Sequence, residues 1–117
     1  MKLIRSKTEQ DFRVRLINSH KSLFQEKSNE RLLSVLRNSF PDMRTAYFIG
    51  HTPEQEEDLY TILINTDTIA RIEMNRYNHD IKPNVVVISL RDYVIGLSKM
   101  SQIKLTVALD LAKKDLE

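Results

Sequence analysis

The chain has no cysteine, which excludes disulfide staples, thiolate metal centres and a cysteine nucleophile. Its two glycines, at positions 50 and 96, are too far apart for a glycine-rich loop that cradles phosphate. Neither an HExxH helix nor a serine elbow occurs, so the zinc-protease and serine-hydrolase signatures are missing. No apolar run approaches the ~20 residues of a membrane-crossing helix, and the opening MKLIRSKTEQ lacks the apolar core of a secretory signal. These absences predict a soluble cytoplasmic protein with no membrane association and no cofactor. They also leave no motif on which to found an enzyme.

What is there is a chain of 117 residues, read as one domain over 1–117. A chain of that length buries roughly two-thirds of its unfolded surface, so a core forms without staples. The stretch from Asp58 to Tyr77, DLYTILINTDTIARIEMNRY, alternates as a β-hairpin does. A tight turn at Thr66 and Asp67 sets Asn65 opposite Thr68, Leu63 opposite Ala70, Thr61 opposite Ile72 and Leu59 opposite Met74. No glycine supplies the usual positive φ, so a three- or four-residue loop is the alternative, and a one-residue slip would exchange the two faces.

Ahead of the hairpin, Thr8 with Asp11 resembles a capping box, and it opens a helix over 8–26 with Phe12, Leu16, Ile17, His20, Leu23 and Phe24 on one stripe. His20 is expected as a boundary histidine or a hydrogen-bonded core one. Ser28 or Asn29 caps a second helix with Leu32, Leu33, Leu36 and Phe40 inward, and Pro41 ends it. RTAYFIGH, residues 44–51, has strand composition, and TPEQEED, residues 52–58, connects it to the hairpin as a meander. After the loop NHDIKPN, the run Val85 to Ile88 fits a strand buried on both faces. Ser89 with Asp92 opens a short helix, and Ser101 caps a last one whose apolar arc is wide enough to be covered on more than one side. The expected class is α+β: an N-terminal helical pair, a three- to four-stranded antiparallel meander, and two C-terminal helices packed on the sheet.

Charge separates along the chain. Residues 1–44 hold ten Lys or Arg against five Asp or Glu, and residues 45–117 hold eight against eleven. Two surfaces follow, each with a solvated face as its plain alternative. One is basic: Arg13, Arg15, Lys21, Arg31 and Arg37 as phosphate contacts, with Tyr47, Phe48 or Tyr77 stacking on bases. The other is acidic: Glu54, Glu56, Glu57 and Asp58 facing a basic protein, with Tyr60 and Tyr77 as aromatic contacts. His20, His51 and His79 are too scattered to name a metal site, and His79 and Asp80 point apart on extended backbone.

In layout, the helical front, the meander with RTAYFIGH and DLYTILINTDTIARIEM, and the tail SQIKLTVALDLAKKDL resemble the small immunity proteins of bacterial contact-dependent growth-inhibition systems. That resemblance implies a non-enzymatic protein that binds a cognate toxin domain and blocks it. Sequences in such families vary so widely that it carries no binding residue over. Type III secretion chaperones, also small α+β proteins, are similar in layout and imply a chaperone instead. On the immunity reading, the acidic cluster meets a basic substrate-binding cleft and occludes it; nucleic-acid binding by the basic helices is the other reading. The oligomeric state is left open.

Overall fold

The hairpin forms where the alternation places it, but around the three-residue turn Asn65–Thr66–Asp67 rather than a two-residue one. Strands β2 (Glu57–Ile64) and β3 (Thr68–Asn75) pair antiparallel with Ile64 opposite Thr68, Ile62 opposite Ala70, Tyr60 opposite Ile72 and Asp58 opposite Met74. This corrects the expected register by one residue. The reason is Asn65, whose φ of 53° is a left-handed conformation that asparagine tolerates. Its Oδ1 accepts from the Arg44 and Thr45 amides at 2.9 and 3.2 Å, and its Nδ2 donates to the Asp42 carbonyl at 3.1 Å.

The computed structural model describes residues 2–117. Strands β1 (Ala46–Pro53) and β4 (Asn84–Ser89) complete a four-stranded antiparallel sheet in the order β1-β2-β3-β4. A bulge between Phe48 and Gly50 interrupts β1. Helix α1 (Lys7–Gln25) is capped by Ser6, whose Oγ accepts from the Glu9 amide at 3.2 Å, while the Glu9 carboxylate accepts from the Ile4 and Arg5 amides. The expected Thr8 cap is displaced because Ser6 and Glu9 have the same spacing with the better N3 residue. Those amide bonds, Ile4 foremost, hold the Glu9 carboxyl below the usual carboxylate range. Helix α2 (Glu30–Ser39) stops before Pro41, as expected, but Asn29 donates to the Ser22 carbonyl instead of capping it. Ser89 caps the short α3 (Leu90–Tyr93) as expected. Helix α4 (Lys99–Leu116) is capped by Ser98, three residues ahead of the expected Ser101, which instead donates its own amide to Ser98 Oγ.

Each face of the sheet carries a core. On one face Leu23 of α1 and Leu32, Leu33 and Leu36 of α2 pack on Ala46, Ile62, Ile64, Ala70, Ile72 and Met74. On the other, Leu16 of α1 and Leu105, Val107, Ala108, Leu111 and Ala112 of α4 pack on Tyr47, Ile49, Leu63 and Ile69. Full burial of each leucine, isoleucine, valine or methionine among them contributes about 1.5–3 kcal/mol. Because α1 serves both cores, it runs along the β1 edge. There His20 Nδ1 lies 2.9 Å from the Ala46 carbonyl, and the ring stacks on Tyr47 with centroids 4.7 Å apart. The Thr45 carbonyl accepts from Asn65 across the sheet, so the next carbonyl, that of Ala46, points off the edge, and His20 satisfies it. Of the two expected places for His20 the structure shows the boundary, half-buried and with the Ala46 carbonyl in reach.

The end of α4 is tied to the start of β1. Thr45 Oγ1 and Tyr47 OH both donate to Asp115 Oδ2, at 2.7 and 2.5 Å, and Arg44 donates to the Leu116 carbonyl at 3.2 Å. Asp110 meets Lys114 at 3.2 Å and Arg13 at 2.9 Å. Among the described residues no helix is long and apolar enough to cross a membrane. One expectation is overturned: the Val85 run is not buried on both faces. It is the outer strand β4, with Val86 45% and Val87 60% exposed, because the sheet ends there and only Val85 and Ile88 reach the two cores.

Candidate protein-binding surface

The β1–β2 turn and the loop after β3 emerge at the end of the sheet opposite Asn65, and Arg76 binds them together. Its amide donates to the Glu56 carbonyl at 2.7 Å, and its Nη2 donates to the carbonyls of Glu54 and Glu57 at 3.0 and 3.2 Å. The same guanidinium grips Asp58 through two bonds, Nε to Oδ2 at 3.2 Å and Nη2 to Oδ1 at 2.9 Å. Such forked, charge-assisted bonds are the strong kind. His51 Nε2 adds a contact to Asp58 Oδ1 at 2.9 Å and stacks on Tyr60 at 4.6 Å.

The electrostatics follow from this geometry. The Arg76 bond, foremost, holds the Asp58 carboxyl below the usual carboxylate range, with His51 helping and partial burial opposing. Asp58 in turn raises the guanidinium's affinity for its proton. Burial pushes the Tyr60 phenol up, and the charge of Asp58 adds to this. Asp58 and Tyr60 therefore belong to the scaffold of the turn. Glu54 and Glu56 project exposed beyond it, with Glu57 half-buried at its base.

Tyr77 stands next to this turn and is 72% exposed, its ring centroid 5.8 Å from the Arg76 guanidinium carbon. Asn75 is buried and fixes the loop, accepting from the Tyr77 and Asn78 amides through Oδ1 at 3.0 and 2.7 Å. Arg31 Nη1 donates to the Asn75 carbonyl at 2.7 Å from α2. Beside it lies a cavity of about 150 Å³ into which Asn29, Tyr60 and His79 also open. All six residues of the acidic set thus lie at one end of the sheet. Arg76, which sequence reasoning did not single out, is what joins them. Its signal was in the register: with Asp58 opposite Met74, residue 76 lies one diagonal step from Asp58.

The basic set is dispersed. Arg13 is paired with Asp110 beside α4, and Arg31 is engaged at the acidic end. Arg15, Lys21 and Arg37 are exposed, with no carboxylate within ion-pair distance among the described residues. Lys104 lies near Arg15, and burial first, then that charge, lowers its ammonium below the ordinary range. Tyr47 is 3% exposed, so it is a core residue and not a stacking surface. His79 and Asp80 are both exposed in the loop, and no three His, Asp or Glu among the described residues are placed to hold a metal ion. No family model, curated protein or solved structure matches the chain.

Proposed function

We propose that this is a small protein-binding module of the cytoplasm, an immunity-type inhibitor that blocks a cognate toxin domain by covering its basic cleft. The observation that carries the reading is the Arg76-braced turn: it presents Glu54 and Glu56 to solvent on a turn held by five hydrogen bonds from Arg76, three to backbone carbonyls and two to the Asp58 carboxylate, next to the exposed ring of Tyr77. Preorganised acids lose little freedom on meeting a basic surface, and an exposed tyrosine provides contact area at low entropic cost.

The test is capture of the tagged protein from its host cells, with nuclease treatment, at moderate and high salt. The reading expects one stoichiometric protein partner, with inhibition of that partner's toxicity on co-expression. A second reading rests on the unpaired Arg15, Lys21 and Arg37. It expects nucleic acid in the capture, lost steeply as salt rises.

A further inference from the structure

The two edges of the sheet are treated differently. On β1 a bulge breaks the edge, α1 runs beside it, and His20 occupies the Ala46 carbonyl. Those are the devices by which proteins blunt an open strand. On β4 none is present: Val85, Val86, Val87 and Ile88 carry no charge, glycine, proline or bulge within the strand. Val86 and Val87 of this strand are exposed, as are Ile81 ahead of it and Val94 and Ile95 after α3, five of the nine exposed large hydrophobic residues among those described.

The backbone pattern fixes which groups are free. The Leu90 amide donates to the Asp67 carbonyl, so Ile88 and Val86, two and four residues earlier, also bond inward to β3. Val85, Val87 and Ser89 therefore turn their amides and carbonyls outward.

We infer that β4 pairs antiparallel with β4 of a second copy of this chain, about a two-fold axis at Val87, to give a continuous eight-stranded sheet. In that register Val87 faces Val87, Val85 faces Ser89 and Val86 faces Ile88, and every outward backbone group of the three residues finds a partner. The same axis carries the α3 end of one copy, with exposed Val94 and Ile95, to the Asn84 end of the other. There Leu59 and Val86, among polar Thr61, Arg71, Glu73 and Asn84, line a groove of about 340 Å³ on the sheet face. The edge is thus self-complementary in its outward backbone groups and its exposed valines, which favours a second copy over an unrelated strand.

The test is sedimentation equilibrium on the whole protein across about 1–100 µM, which reads micromolar dissociation constants. The wild type is expected to be dimeric at the upper end. Val87→Lys opposes two like charges at the axis and should raise the dissociation constant at least about tenfold, while Val87→Thr keeps the dimer. Unchanged circular dichroism shows that the lysine variant folds. A wild type that stays monomeric up to 100 µM overturns the proposal, as does a dimer indifferent to Val87→Lys.

Discussion

Replacing Tyr47 by phenylalanine tests how the C-terminal helix is held to the sheet. The ring is 3% exposed, and its hydroxyl donates to Asp115 Oδ2 at 2.5 Å. A hydrogen bond to a charged acceptor contributes about 1.5–3 kcal/mol. Asp115 is exposed and keeps its bond from Thr45, so the deletion leaves no buried group unpaired, and the expected cost at pH 7 is about 1.5 kcal/mol, the low end. The same bond has an alkaline signature. Burial first, then the bond to Asp115 and its negative charge, push the Tyr47 phenol above its ordinary value. The folded state therefore keeps a proton that the unfolded chain loses near pH 10, and stability, complete below that, falls as pH rises further. Each such tyrosine steepens the fall by up to about 1.4 kcal/mol per pH unit. Tyr60 and Tyr93, raised chiefly by burial, contribute to the same slope. Urea unfolding at pH 7 and pH 10.5 should show Tyr47→Phe less stable at pH 7 and the gap narrowing at the higher pH. Equal stability at pH 7, or a gap independent of pH, refutes the reasoning.

Leu36→Ala empties a fully buried position between α2 and the sheet, and should cost about 2–5 kcal/mol in urea unfolding. Asp58→Asn weakens the Arg76 brace. Because the folded Asp58 pKa lies below the unfolded one, its contribution is present above about pH 4 and is lost as pH falls through the folded value. Acid unfolding of the wild type should therefore show a step that the variant lacks. Tyr77→Ala removes a ring that is 72% exposed, so stability should stay within about 0.5 kcal/mol of wild type. The same variant should weaken capture of the proposed partner, and unaltered capture removes Tyr77 from the surface.

Fold class was legible because local signals agreed: the Ser89 cap, the stop at Pro41 and the two alternating strands of the hairpin each appeared where the residues placed them. Register was not. A single left-handed asparagine, held by side-chain bonds to Arg44, Thr45 and Asp42, shifted the hairpin by one residue. Apolar content alone misplaced β4, since a run of valines reads the same whether both faces are covered by helices or an edge is left open. For the candidate surface, the acid cluster and Tyr77 stood out in the sequence. What separates free from spent acids did not, because Arg76 lies 18 residues from Asp58 and they meet only when β2 and β3 pair correctly.

The most direct test of the central claim is a paired capture from host cells with tagged wild type and with the triple variant Glu54→Lys, Glu56→Lys, Glu57→Lys, leaving Asp58 in its brace. The account predicts one stoichiometric protein with the wild type, retained at high salt, and its loss from the variant. Equal recovery of that protein by both, or nucleic acid alone in the wild-type capture, contradicts it.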